Sequence, residues 1–372
     1  MKEQSLLTPY TLGEIELPNR VIMAPMTRSR ATNAEKSPTA DMHAIYYKQR
    51  ASAGLIITEG SQVSPRGVGY IHTPGIHSEA QVNGWKKVTE AVHEAGGRIF
   101  IQLWHVGRMS HPYFHDGDKP IGPSAINPNA ESFTPEGMKD TVTPKEMTQK
   151  EIDETIAEFA RGARNAVKAG FDGVEIHASN GYLFHQFFNR TSNQRTDKYG
   201  GSIENRGRFL FEVLDAMKKE IPTNRIGIRM NPSLHGIFGM TLDDETIPTF
   251  DYIIEKLNTY DLAYLHLSEP FNDVNDVPHA ETEIAKRYRP IYKGTLMINS
   301  GFDQEKGNAV INRGDADLVA FGKLFISNPD LVERFKTDAP ISAWDKDTFY
   351  TQGKEGYLDY EPKASEASVP QA

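Results

Sequence analysis

The segment SEAQVNGWKKVTEAVHEAGGRIFIQ, residues 78–102, contains one complete unit of the pattern that decides the fold. Ser78 with Gln81 three residues on makes a capping box, and Val82, Trp85, Val88 and Val92 then recur at helical spacing. Gly96 ends the helix, and Arg98-Ile99-Phe100-Ile101-Gln102 follows as a short apolar run suited to a buried strand. The same alternation extends in both directions. Val21-Ile22-Met23-Ala24 and Gly54-Leu55-Ile56-Ile57-Thr58 come before it. Gly173-Val174-Glu175-Ile176, Ile226-Gly227-Ile228-Arg229, Ala263-Tyr264-Leu265-His266, Thr295-Leu296-Met297-Ile298 and Leu318-Val319-Ala320-Phe321 come after, making eight runs in all.

Other helices carry their own start and stop signals. Thr148 with Glu151 is a second capping box, ahead of Ile152, Ile156 and Phe159, and Gly170 stops that helix. Ser202 opens a helix with Phe209, Leu210, Val213 and Met217 on one face, and Thr241 is positioned to cap one that buries Ile247, Phe250, Ile254 and Leu257. Strands alternating with helices predict a parallel sheet. Closed on itself, that is an α/β fold of the (β/α)8 TIM-barrel type over residues 1–360, with a flexible tail over 361–372. An open, doubly wound sheet in two domains is the alternative, but no G-x-G-x-x-G follows the first strand and no composition shift marks a linker. Two additions are expected. Thr8 to Pro18, turning at Gly13, reads as an N-terminal hairpin that plugs the bottom of the barrel. The Pro-, Gly-, Asn- and His-rich stretch from Gly107 to Thr143 is a long insertion after strand three, of the kind that covers a site.

Composition excludes several classes. The chain has 372 residues, 38% of them hydrophobic, enough to bury a large core without staples. Its net charge of −9 disfavours non-specific nucleic-acid binding, which depends on phosphate neutralisation. It has no cysteine, which removes disulfides, Cys-ligated metals and thiol nucleophiles, and fits a cytoplasmic location. The first residues lack a signal-peptide core and no run approaches the length of a membrane span, so no membrane partner is expected.

Barrel chemistry sits at the C-terminal ends of the strands. Those positions hold Pro25-Met26-Thr27, Glu59-Gly60, Gln102, Trp104, His105, His177, Asn180, Tyr182, Arg229, His266, Ser268, Asn299-Ser300-Gly301 and Gly322-Lys323. No H-x-H, H-E-x-x-H, G-x-S-x-G or Walker loop occurs, so no metal site is expected and serine or zinc hydrolysis is disfavoured. The loops after strands seven and eight, with Gly301, Gly322 and Lys323, have the make-up of a phosphate cradle, although the glycines also read as plain turn residues. His177-Ala-Ser-Asn180-Gly-Tyr182 groups two neutral donors with a phenol; together they can hold one substrate oxygen and supply a proton. A lone His at a strand end is otherwise commonly structural. Arg229, ending a buried strand, needs a partner: Glu175, or an anionic ligand. Position alone slightly favours reading Trp104 and Tyr350 as core aromatics.

At these residues the chain resembles the Old Yellow Enzyme family of FMN-dependent ene-reductases, from about Leu6 to Tyr360. The strongest stretch is NQRTDKYGGSIENR, residues 193–206. Support comes from APMTR at 24–28, QLWHVGR at 102–108, GVEIH at 173–177, Asn299-Ser300-Gly301 and EGYLDY at 355–360. The resemblance implies non-covalent FMN at the barrel mouth and NAD(P)H as reductant. It implies that Thr27 bonds the flavin O4, and that Gln102 and Arg229 meet the pyrimidine edge, Arg229 stabilising the reduced anion. Pro25, Met26 and Gly60 would line the ring, and Asn299, Ser300, Gly301, Gly322 and Lys323 would hold the phosphate end. His177 and Asn180 match the pair that binds the activating oxygen of an enone or nitro substrate, Tyr182 the proton donor, and Trp104 and Tyr350 residues that shape the substrate cavity. NAD(P)H and substrate would share one site in ping-pong order. A monomer or homodimer is expected.

Two departures stand out. Lys323 occupies a position where the family usually has Arg, keeping the charge but not the planar fork. Thr27 stands where another branch has Cys. Two further readings remain: a glycosidase using Glu59 with Glu269 across the mouth, and a flavin-binding protein without turnover.

Overall fold

A computed structural model describes residues 4–362; the last part of the expected tail lies outside the described residues. Eight parallel strands close into a barrel in chain order. They are β1 (Val21–Met23), β2 (Leu55–Gln62), β3 (Ile99–Trp104), β4 (Gly173–His177), β5 (Ile226–Met230), β6 (Tyr264–Ser268), β7 (Leu296–Asn299) and β8 (Leu318–Phe321). The closing pair sets Val319 opposite Val21 and Phe321 opposite Met23.

Helices pack around the outside, the longest being α1 (Glu79–Glu94), α2 (Gln149–Lys168), α3 (Ile203–Met217) and α4 (Thr246–Leu257). Both capping boxes form as the sequence indicates: Ser78 with Gln81 on α1 and Thr148 with Glu151 on α2. Each cap is worth about 1 kcal/mol. Gly96 and Gly170 end α1 and α2 at φ +79° and +86°, a conformation open to glycine. Ser202 caps α3 by accepting from Asn205 N–H. The expectation for α4 was off by several residues. Thr241 is exposed and does not cap it; the helix begins at Thr246, its N-cap Glu245 makes no side-chain cap bond, and in the turn before it Asp243 accepts from Thr246 Oγ1 and Glu245 N–H, both at 3.0 Å. Ile247 is consequently rotated off the fully buried face.

The barrel interior is layered. At the bottom, the hairpin Tyr10–Leu12 with Ile15–Leu17 inserts Leu12 and Leu17 into a cluster with Ile22, Leu55, Ile57, Phe100, Tyr264 and Met297, which makes it the expected plug. Phe100 and Tyr264 face each other with ring centroids 5.8 Å apart. They fit because Gly173 and Gly227 lack side chains; a Cβ on either would come within 2.3 Å of a ring atom. Above this apolar layer the inward residues turn polar. Gln102 Nε2 donates to Glu175 Oε1 at 2.8 Å, and His266 Nδ1 lies 2.8 Å from Glu175 Oε2.

One irregularity matters for the site. Between β2 and β3 the register shifts: Ile57 is opposite Phe100, but Gly60, not Glu59, is opposite Gln102. This one-residue bulge sends Glu59 out of the barrel and Gly60 in.

The insertion after β3 is more ordered than its composition suggests. It contains a hairpin, Glu131–Thr134 with Gly137–Asp140, reversed at Gly137 with φ +96°. The hairpin is tied to the loop after β2, Ser132 Oγ donating to the Gly69 carbonyl at 2.7 Å and Ile71 N–H to the Phe133 carbonyl at 3.2 Å. Among the described residues no helix is long and apolar enough to cross a membrane.

Candidate active site

The turn after β4 builds the centre of the site. Asn180 and Gly181 take consecutive left-handed conformations, φ 57° and 80°, which Asn and Gly tolerate best. The chain doubles back, with Tyr182 N–H donating to the Ser179 carbonyl at 3.2 Å. His177 and Tyr182 are thereby brought together edge to face, with ring centroids 5.0 Å apart. Trp104, from the end of β3, stacks 6.0 Å from His177 and meets Tyr182 edge to face at 5.0 Å.

Electrostatics fix the protonation of these groups. Burial, and then the nearby Arg229 guanidinium, hold His177 well below the ordinary histidine range, so it is neutral at neutral pH. Its Nδ1 is 3.1 Å from Ser179 Oγ; with the hydroxyl donating there, Nε2 carries the proton. Burial, and then Tyr70, push the Tyr182 phenol well above its usual value, so it keeps its proton. Tyr182 Oη donates to Tyr70 Oη at 3.1 Å. Arg229 lies one strand over, opposite His177 in the β4–β5 register. Its Nη2 is accepted by the Asn299 carboxamide oxygen at 2.8 Å, the amide nitrogen of Asn299 donating to Ser268 Oγ at 2.6 Å. Glu175 forms no ion pair with it, in contrast to the simpler expectation; that carboxylate is engaged by Gln102 and His266 instead. The Arg229 Nε is buried and without a partner.

These groups face a cavity of about 780 Å³ at the barrel mouth, lined from the ends of all eight strands. Every residue that the resemblance assigns to cofactor or substrate lines it, whereas Glu59, His105, His266 and Ser268, also at strand ends, do not. Pro25, Met26 and Thr27 follow β1, Gly60 ends β2, and Gln102 and Trp104 come from β3. His177, Asn180, Tyr182 and Arg229 form the next sector; Asn299, Ser300, Gly301, Gly322 and Lys323 form the far end, and Tyr350 comes from the C-terminal segment. Tyr350 is largely exposed, so it is a rim residue and not core. Lys323 opens the short helix Lys323–Ser327, and its Nζ sits 5.7 Å from the centre of the Trp344 ring.

Sequence reasoning missed Tyr70, which touches Tyr182, and the rim aromatics Phe271, Phe302, Trp344 and Phe349. They lie on connecting segments outside the regular pattern, where no periodicity points inward. The two-carboxylate alternative fails on geometry. Among the described residues no Asp or Glu lines the cavity. Glu59 lies behind the wall, accepting from Arg28 N–H at 3.2 Å, and Glu269 accepts from Ile284 and Ala285 N–H.

The matches to known proteins agree with this geometry. The NADH:flavin oxidoreductase / NADH oxidase family pattern covers residues 5–341. 12-Oxophytodienoate reductase 1 of Oryza sativa subsp. japonica is 42% identical over 359 residues, spanning 95% of this chain and 92% of the relative. Putative 12-oxophytodienoate reductase 5 of the same plant is 44% identical over 362 residues, spanning 95% and 94%. Among solved structures, morphinone reductase in complex with tetrahydroNAD superposes with TM-score 0.91 at 43% identity, covering 97% of this chain and 98% of that one. The Old Yellow Enzyme homologue from Zymomonas mobilis gives 0.91 at 38% identity, covering 96% and 99%. The barrel and its cavity are therefore those of a flavin-dependent oxidoreductase that uses FMN with a reduced nicotinamide. The chain belongs to the Old Yellow Enzyme family.

The residues present fit FMN. An unpaired buried guanidinium nitrogen on Arg229, a cavity without carboxylates, and open space beside Gly301 at φ +77° suit an anionic, phosphate-bearing ring system. At Gly60 a Cβ would lie 2.7 Å from the Trp104 indole, so only glycine leaves both the wall and the ring surface undisturbed.

Proposed function

We propose that this protein is an ene-reductase that uses NADH or NADPH to reduce the activated double bond of α,β-unsaturated carbonyl or nitro compounds. The observation that carries this reading is the meeting of His177, Asn180 and Tyr182 on one wall of a carboxylate-free cavity. Thr27, Gln102 and Arg229 are the candidates to hold the ring of the cofactor, and Asn299, Ser300, Gly301, Gly322 and Lys323 its phosphate end. When bound, FMN supplies hydride storage between the nicotinamide and the alkene, which use the same cavity in turn.

The side chains do the rest. Neutral His177 donates from Nε2 to the activating oxygen of the substrate, and the Asn180 amide nitrogen donates beside it. Charge grows on that oxygen as the alkene is reduced, so these donors bind the transition state more tightly than the ground state. One fixed donor of this kind is worth about 3–4 kcal/mol. Tyr182 keeps its proton until the carbanion forms and then gives it from Oη to the neighbouring carbon. Relatives named for the reduction of 12-oxophytodienoate and of morphinone support an oxo group as the activating function.

Anaerobic half-reactions test this reading. NADH or NADPH should bleach the yellow holoenzyme, and 2-cyclohexenone or a nitroalkene should restore the colour while cyclohexanone does not. Flavin that stays reduced against a panel of enones and nitroalkenes would leave a flavin protein without alkene turnover.

A further inference from the structure

Glu175 is the buried charge that the proposed reaction does not use. It lies at 0% exposure in the polar layer under the cavity, between Gln102 on β3 and Gly227 on β5. Because Gly227 has no side chain, the space on that side is filled by the Tyr264 ring, and His266 from β6 reaches in to the carboxylate. Both carboxylate oxygens are occupied: Oε1 by Gln102 Nε2 and Oε2 by His266 Nδ1, each at 2.8 Å. The first bond has a directional consequence. A carboxamide has one donor end and one acceptor end. With Nε2 committed downward to Glu175, the Gln102 side chain, which lines the cavity, offers its oxygen to the ligand. Arg229, two strands on at the end of β5 and lining the same cavity, offers only donors.

We propose that Glu175 is a positioning residue that fixes the polarity of Gln102, so that the cavity presents an acceptor from Gln102 on β3 together with donors from Arg229 on β5, the complement of the polar edge of the flavin ring. Its negative charge also offsets Arg229, which makes it a determinant of the flavin reduction potential. A neutral glutamine at 175 could donate as well as accept, so Gln102 would lose its single orientation. It would also leave the Arg229 charge less compensated, favouring the reduced, more negative flavin. This inference rests on the cavity holding FMN and not on the alkene reading; failure of either leaves the other standing.

The experiment is to prepare Glu175→Gln, strip and reconstitute it, and measure FMN affinity by fluorescence quenching and the reduction potential by dye equilibration. The expected result is an FMN dissociation constant raised about tenfold, the scale of one hydrogen bond to a charged group, together with a positive shift in potential. By linkage, reduced FMN must then lose less affinity than oxidised FMN. In a Gln102→Ala background the same substitution should cost little further affinity, because the group it orients is gone. An unmoved or negatively shifted potential, or an affinity loss that is fully additive with Gln102→Ala, overturns the proposal. If Glu175→Gln does not fold, Glu175→Asp draws the carboxylate back from Gln102 while keeping the charge. It should also weaken FMN, and unchanged affinity there overturns the proposal equally.

Discussion

The Tyr182 hydroxyl donates to the Tyr70 hydroxyl at 3.1 Å, with the two rings edge to face at 6.3 Å. The phenol proposed to protonate the substrate is thus partnered by a second phenol. When Tyr182 turns its proton to substrate, Tyr70 can donate in its place to the Tyr182 oxygen and stabilise the phenolate left behind. Tyr70→Phe should therefore slow the alkene half-reaction by about fivefold, one net hydrogen bond, and leave flavin reduction by nicotinamide unchanged. Tyr182→Phe should slow it more, with the double variant no worse. Stopped-flow traces of both half-reactions decide; equal losses in the two would contradict the pairing.

His177 should act as a neutral donor across the working pH range, since burial holds it well below the usual histidine value. Binding of a para-substituted phenol to the holoenzyme, followed by its absorbance band, should show no break near pH 6.5. His177→Ala should weaken it by about 10- to 100-fold, the range for a bond to a charged acceptor. A titration with a clear break there would mean the imidazole charges.

Lys323 is exposed at the far end of the cavity. Lys323→Ala should weaken FMN several-fold and flatten the salt dependence of binding, whereas riboflavin, which has no phosphate, should bind as before. Lys323→Arg should hold FMN at least as tightly. Equal weakening of FMN and riboflavin by the alanine variant would remove the phosphate assignment.

Glu59 gives a stability test away from the chemistry. Burial pushes its carboxyl from 4.5 up to about 7. The folded protein thus binds a proton there that the unfolded chain releases above about pH 4.5. The stabilisation is present below that pH, is lost as pH rises through about 7, and is on the order of 3 kcal/mol. His43, 3.9 Å away and pushed down to about 4, has the opposite slope: the unfolded chain charges first as pH falls below about 6.5. Glu59→Gln isolates the first effect. Its melting temperature should exceed that of the parent at pH 8, and the gain should vanish near pH 5. A gain independent of pH would show that Glu59 does not titrate in this window.

Much of this was readable in the chain because its signals are local. The capping pairs at Ser78 and Thr148, the strand runs, and the close spacing of His177, Asn180 and Tyr182 each depend on neighbours in sequence. Tyr70 was not readable, because it sits in a loop held by a hairpin more than sixty residues downstream. Phe238 was missed for a related reason: it reaches within 5.8 Å of Tyr182 from the loop after β5, in a left-handed conformation at φ 51° that bulky residues seldom adopt. The start of α4 was misread because Thr241 has the chemistry of a cap, whereas the helix begins behind Glu245 without any side-chain cap bond, which the local sequence does not reveal.

The extra residue in β2 also lets this chain carry an acid in the middle of a strand that borders the cavity. Strict alternation from Ile57 would aim Glu59 at the same level as Gln102. Loss of Gly60 would set a carboxylate where glycine now stands, whereas loss of Thr58 would straighten the strand and still leave Gly60 opposite Gln102. The acid is thus kept out of the cavity by which residue meets Gln102, and not by the number of residues in the strand.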